Sequence, residues 1–317
     1  MQSSIASNPF ESALRSNPKT AFHQQILDKI CVQAPYNRVQ DLAASGAHGV
    51  EARVSFEAPP GFESGPLASA EIGRHLAILG SCALARNNAS ERRHYYLAQQ
   101  ALLRRFETAA ASEGEALRMV AIPVGNDSAE VVLTNHREQT VATLSVSYRV
   151  LSDRLFARLF RGQRRVTPAA VDGQSPYATP VVFEQETQEL DSATALLREV
   201  TPELCQGHFD DYPALPVAIL MDGINRLATS HLDRTLAKNF RLTTCAVSAE
   251  RLAFAGESVE FSVKRTLEER QSVIYHGVAR RAGDETVFGE ATLTYELLDR
   301  TSGFPPSGVQ KAESVRA

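Results

Sequence analysis

The sequence predicts an α+β fold made of two similar halves, each with a long buried helix covered by antiparallel strands. Two segments of helical length are apolar on nearly every side, at residues 67–86 and 216–236, and helices that are apolar all round are buried helices. Segments that alternate apolar and polar residues follow each of them, as half-buried strands do. The order of elements is the same in both halves, which indicates an internal duplication.

The predicted strands are separated by turn residues such as Gly125-Asn126-Asp127. Residues 94–106 have helical propensity, but the duplicated layout requires a strand there, so a strand is expected. Residues 22–32 fit either a first strand or a short helix. The remaining strands are expected at residues 49–56, 117–123, 129–134 and 140–150 in the first half, and at 181–190, 193–200, 242–249, 258–267, 272–281 and 286–297 in the second.

Composition divides the chain of 317 residues into five parts. The first residues are rich in Ser, Asn and Pro, and the last are polar with Gly and Pro, which is typical of loose chain ends. A short amphipathic helix at residues 151–160 precedes a linker rich in Gly and Pro. The expected parts are a flexible arm at 1–20, a first domain at 21–150, a connecting helix and linker at 151–180, a second domain at 181–299 and a flexible tail at 300–317.

Composition also limits the class of function. Hydrophobic residues make up 43% and charged residues 22% of the chain, and the net charge is −4, so no general nucleic-acid binder is expected. The four cysteines are widely spaced without a Cys-x-x-Cys pair, and no nucleotide-binding glycine motif occurs, so neither a metal nor a cofactor is expected. No apolar run of membrane-spanning length is present. The expectation is a cytoplasmic protein.

The segment from Cys205 to Asp222 carries the strongest functional signal. Pro213 and Pro216 prevent a regular helix before Pro216, because proline lacks the N–H and restricts the residue before it. Proline is common in the first helical turn, so a helix is expected to begin there. His208 therefore lies on a constrained loop in front of a buried helix that carries Asp222 fourteen residues later.

This segment resembles the active-site segment of the hotdog-fold 3-hydroxyacyl-thioester dehydratases, including the double-hotdog dehydratases of polyketide and polyunsaturated fatty acid synthases. Two glycines of that family are replaced here, by Asp211 and Val217. The resemblance implies a double hotdog whose two sheets join edge to edge. It also implies dehydration of a 3-hydroxyacyl thioester, bound to CoA or to an acyl carrier protein, in fatty acid or polyketide biosynthesis. The matching residues are Gly207, His208, Phe209, Pro213, Pro216 and Asp222.

The resemblance also implies that the histidine of one half works with an acid on the central helix of the other half. Alignment of the two helices makes Glu71 the counterpart of Asp222, whereas the counterpart of His208 is Glu57. The expected site therefore pairs His208 as base with Glu71 as acid, and Asp222 is a second candidate acid. The residues expected to bind the thioester or its oxyanion are Val217, Gly207, Phe209 and Pro216, and the auxiliary candidates are His75 and His94.

Two other functions fit the same segment. In hotdog acyl-thioester hydrolases an acid on the central helix activates water, which Glu71 alone could do. A non-catalytic double hotdog that binds an acyl group or a carrier protein is also open, since Asp211 and Val217 replace glycines. Glu71 could equally be a structural acid bonded to Arg74, His75 or the backbone. A homodimer of the pseudo-dimeric chain is left open.

Overall fold

The computed structural model describes residues 18–106, 117–165, 175–209, 211–236 and 239–298. The predictions for residues 1–17, for the whole tail at 300–317 and for residues 166–174 of the linker lie outside these ranges. Residues 18–20, expected in the flexible arm, belong instead to the first helix.

The first half contains a short helix, a long central helix and six strands. They are α1 (Pro18–Leu27), β1 (Gln40–Ser45), β2 (Gly49–Val54), α2 (Ser69–Asn87), β3 (His94–Arg105), β4 (Leu117–Val124), β5 (Ser128–Thr134) and β6 (Thr140–Ser152). The connecting helix α3 (Asp153–Leu159) begins at Ser152, whose side chain accepts a hydrogen bond from the N–H of Leu155, as an N-cap does.

The second half repeats this plan around its own central helix. Its elements are β7 (Glu184–Gln188), β8 (Ser192–Leu197), β9 (Ala214–Leu215), α4 (Val217–Leu236), β10 (Asn239–Ala249), β11 (Ala253–Phe254), β12 (Val259–Glu268), β13 (Ser272–Arg281) and β14 (Val287–Leu298). The short strands β9 and β11 pair only with each other.

The other twelve strands form one continuous sheet in the order β1-β2-β4-β5-β6-β3-β10-β14-β13-β12-β8-β7. The expectation of two sheets is therefore corrected to a single sheet that runs through both halves. The halves join where β3 and β10 pair antiparallel, from Thr244 opposite Arg104 to Ser248 opposite Gln100. This pairing gives hydrogen-bond partners to two strands that would otherwise be exposed edges.

Each half of the sheet covers one central helix, which is the hotdog arrangement. Helix α2 packs against β2, β4, β5 and β6, helix α4 packs against β8, β12, β13 and β14, and the two helices also contact each other. Both helices are mostly buried, as their apolar composition predicts. Their contact brings the residues of one half next to those of the other.

Most elements lie close to their predicted positions. The strand expected at residues 94–106 is confirmed as β3, because pairing with β6 on one side and β10 on the other overrides its helical propensity. The ambiguous residues 22–32 are helical as far as Leu27, and β1 was not predicted. Within the described residues, no helix is both long enough and apolar enough to cross a membrane.

Candidate functional site

A cavity of about 690 Å³ lies between the two halves, a size typical of pockets for small-molecule ligands. Its walls come from α2, α4, β3, β6, β10 and the loop that carries His208. Leu159 and Arg251 line the cavity and are exposed to solvent, so the cavity opens beside the segment after α3. The lining therefore combines an apolar interior with a mouth at the surface.

The His208 loop is held by a segment of the first half. The backbone N–H of Gln33 donates to the carbonyl of Gly207 at 2.7 Å, and Val32 forms an antiparallel bridge with His208. Gly207 has φ +73°, and a Cβ at this position would lie 2.3 Å from the carbonyl oxygen of Gln33. Only glycine fits both the backbone conformation and this close approach.

His208 has a defined tautomer. Its Nδ1–H donates to the carbonyl of Ala214 at 2.8 Å, and since a carbonyl can only accept, Nε2 carries the lone pair. Among the described residues, Nε2 has no hydrogen-bond partner. His208 and Tyr36 both line the cavity, and their rings meet edge-on with 5.2 Å between the ring centroids. Burial lowers the pKa of His208 to about 4, against the effect of the bond to Ala214, so the ring is neutral at pH 7.

The first turn of α4 adds backbone donors to the same cavity. The carbonyl of Pro216 accepts the N–H groups of Ile219 and Leu220, whereas those of Val217 and Ala218 have no acceptor among the described residues, as is usual in a first helical turn. Val217 and Ala218 both line the cavity. Free N–H groups at a helix N-terminus favour negative charge. The structure thus brings Val217, Phe209 and His208 to one cavity.

Glu71 does not line this cavity. Its carboxylate accepts from the backbone N–H groups of Glu57 at 2.8 Å and Ala58 at 2.9 Å, and it contacts Arg74 at 3.3 Å and His75 at 3.4 Å. Burial alone would raise its pKa, but the bonds from His75 and Glu57 and the charge of Arg74 hold the pKa below its ordinary value. These contacts therefore favour the ionised form of the Glu71 carboxylate.

Glu71 lies instead beside Asp222, in a smaller cavity of about 70 Å³ that Arg74 and Arg226 also line. Burial raises the pKa of Asp222 to about 6, despite the nearby charge of Arg226, and among the described residues its carboxylate has no hydrogen-bond partner. Ala70, Ala218 and Asn225 line both cavities and lie between them. The structure thus brings Glu71 together with Asp222 and places His208 in the other cavity.

The auxiliary candidates also lie away from the large cavity. His75 is fully buried next to Glu71, and His94 bonds through Nδ1 to the carbonyl of Arg92 at 2.8 Å. The sequence analysis missed Tyr36, which contacts His208 from the first half. Tyr36 follows Pro35 in a segment without helical or strand periodicity, so no sequence signal marked it.

Comparison with known proteins supports the fold. No family model matches the chain, and no curated protein matches it by sequence. Among solved structures, the tesB protein of Mycobacterium avium subsp. paratuberculosis matches with a TM-score of 0.55 and 10% identity over 89% of this chain and 100% of its own. A protein described as an oleoyl thioesterase from Lactobacillus plantarum matches with a TM-score of 0.51 and 14% identity, over 79% of this chain and 96% of its own. A protein described as thioesterase II from Thermobifida fusca matches with a TM-score of 0.51 and 12% identity, over 84% of this chain and 99% of its own.

The expectation of a dehydratase is wrong in the light of these findings. The solved structures from Lactobacillus plantarum and Thermobifida fusca are described as thioesterases and not as dehydratases. The site agrees with this correction, because dehydration needs an acid to protonate the leaving hydroxyl, and the acid expected for it, Glu71, is ionised and lines a different cavity from His208. The lyase activity and the role in fatty acid or polyketide biosynthesis that were expected with it are likewise unsupported.

Proposed function

We propose that this protein hydrolyses acyl thioesters in the large cavity. The observation that carries the proposal is the set of groups on that cavity: the unpartnered Nε2 of His208 and the free N–H groups of Val217 and Ala218. This set supplies a base and an oxyanion site. The solved structures described as thioesterases support the same reaction class.

The proposed reaction uses each of these groups once. Water attacks the thioester carbonyl carbon while Nε2 of His208 accepts a proton from it. The carbonyl oxygen becomes an oxyanion, which the N–H groups of Val217 and Ala218 stabilise. The C–S bond then breaks, and the thiol leaves with the proton that His208 returns. The products are a carboxylic acid and a free thiol.

The nature of the leaving group explains why no separate acid is required. A thiol has a pKa of about 8.5, so its thiolate is a good leaving group and the proton that His208 returns is sufficient, whereas hydroxide is a poor leaving group that needs a dedicated acid. Two carboxylates do line the cavity, but Glu250 is exposed, and Glu257 already accepts hydrogen bonds from the N–H of Phe254 and from Arg281. The lining therefore fits hydrolysis better than dehydration.

Asp222 offers a second candidate centre for the same reaction. Its carboxylate is unpartnered within the described chain and its pKa is about 6, so it is ionised and able to accept a proton at pH 7. The cavity beside it holds only about 70 Å³, which is room for about two waters and not for an acyl chain. This difference in size favours His208.

Thiol release from a panel of acyl-CoA and acyl-carrier-protein thioesters tests the proposal. His208→Gln should reduce the rate by roughly 10²–10⁴-fold, the usual contribution of a general base, whereas Asp222→Asn should keep it within about tenfold. Unchanged melting temperatures would show that both variants fold. The reverse pattern would place the reaction at Asp222, and an absence of thiol release from every thioester would exclude hydrolysis.

A further inference from the structure

One face of α2 is less buried than the rest of the helix and borders the large cavity. From Ser69 to Ala85 every residue is buried except Ala70, Gly73 and Ala77. Their spacing of three and four residues places them on one face of the helix, and all three line the large cavity. Around Gly73, the part of α2 that borders the cavity therefore carries small side chains or none, and the larger Ile78 lies further along the helix.

Gly73 is not explained by packing. Glycine in the interior of a helix is unfavourable relative to alanine, so a close neighbour normally accounts for it. At Gly80 a Cβ would lie 2.5 Å from the hydroxyl of Tyr148, and at Gly223 it would lie 2.6 Å from the ring of Phe261. At Gly73, by contrast, no atom of the described chain lies within 4 Å of the Cβ position.

The space over Gly73 belongs to the cavity that His208 lines. Nε2 of His208 has no hydrogen-bond partner among the described residues. The cavity follows α2 from Ser69 to Ser81, a distance of about 18 Å at 1.5 Å per residue. The apolar side chains on its lining include Ile78 of α2, Leu144 of β6 and Leu242 of β10. A long space with apolar side chains on its lining, and with His208 among its polar groups, fits an unbranched hydrocarbon chain that ends in a thioester.

We infer that Gly73 determines the length of acyl chain that this protein accepts, because its missing side chain leaves room for the chain to pass along α2. This inference rests on the proposed thioester hydrolysis and names the substrate class of that site. Each buried methylene contributes about fourfold in affinity. Affinity should therefore rise along a series of acyl chains until the space over α2 is filled.

Binding of unbranched fatty acids, from butyrate to palmitate, tests this inference without requiring turnover. In Gly73→Leu the rise in affinity should stop earlier, by roughly the four carbons of the leucine side chain, so the longest acids lose up to about 200-fold while butyrate changes little. Gly73→Ala should shorten the series by about one carbon, and this variant decides the question if Gly73→Leu does not fold.

Gly162 provides a matched control, because it also lines the cavity with no atom of the described chain within 4 Å of its Cβ position, but it is exposed at the mouth. Gly162→Leu should affect all chain lengths alike. An unchanged length series in Gly73→Leu and Gly73→Ala, or an equal loss at every length, would overturn the inference. Since fatty-acid binding is measured separately from thiol release, loss of one proposal leaves the other testable.

Discussion

At the scale of single residues, the hydrogen bonds that each buried polar group makes determine whether it can exchange a proton. Glu71 and His208 are both buried, but Glu71 receives several donors whereas His208 donates once and keeps a free Nε2. A fully bonded carboxylate is held in one charge state, while a half-bonded imidazole can exchange a proton. Glu71, the acid expected from the sequence, is thus engaged in hydrogen bonds outside the cavity that His208 lines.

The two candidate bases predict different pH profiles. Burial lowers the pKa of His208 to about 4 and raises that of Asp222 to about 6, and a general base works only when it is deprotonated. The rate of thiol release per enzyme at low substrate should therefore be flat from pH 8 to about 5 and fall tenfold per unit near pH 4 if His208 acts. A fall that begins near pH 6 would instead assign the reaction to Asp222.

At the scale of elements, periodicity and proline placement located both central helices and most strands from the sequence. The alignment of the helices also paired Glu71 with Asp222, and the two lie at the same cavity. Which helix face meets His208 could not be read in this way, because one step along a helix turns the side chain by about 100°. Ala70 lines the large cavity, and Glu71, one residue later, does not.

The His208 loop offers a test of how one element depends on another. Gly207→Ala should unfold more easily and should lose thiol release, because the new Cβ would lie 2.3 Å from the carbonyl of Gln33 and push the loop away. Gly125 is a matched control, since its φ of +72° is nearly the same as the +73° of Gly207 and no atom of the described chain is near its Cβ position.

Chemical denaturation and thiol release measure both effects. Gly125→Ala should cost only the left-handed conformation, about 1–2 kcal/mol, and should leave the rate unchanged. Gly207→Ala should cost more than this and reduce the rate. Equal stability and equal rates in the two variants would show that the contact with Gln33 does not position His208.

At the scale of the whole molecule, three of the contacts between the halves bear on the candidate site. The β3–β10 pairing makes one sheet, the α2–α4 contact separates the two cavities, and residues 31–33 hold the loop of the other half. The duplication was readable from the order of elements. The joining of the sheets edge to edge was expected only from the resemblance to double-hotdog proteins, because strand pairing between halves depends on contacts far apart in sequence.

The same burial that shapes the site predicts how the whole fold responds to acid. Burial lowers the pKa of both His75 and His208 to about 4, from 6.5 in the unfolded chain. Between these values the unfolded state binds more protons, so each histidine stabilises the fold above pH 6.5 and this contribution is lost as the pH falls towards 4. Asp222 acts in the opposite direction between pH 6 and its unfolded value of 3.8, since its pKa is raised to about 6.

The three groups together predict how steeply the free energy of unfolding changes with pH. Mutations of His208 and of Asp222 should change this slope in opposite directions. Each group contributes about 1.4 kcal/mol per pH unit, so two histidines against one aspartate leave a loss of about 1.4 kcal/mol per unit as the pH falls from 6 to 4. His208→Gln should bring this slope in the free energy of unfolding close to zero. Asp222→Asn should roughly double it, because the opposing group is gone. Urea unfolding at several pH values measures the slopes, and identical slopes in all three proteins would show that neither group is buried in the charge state that the structure assigns to it.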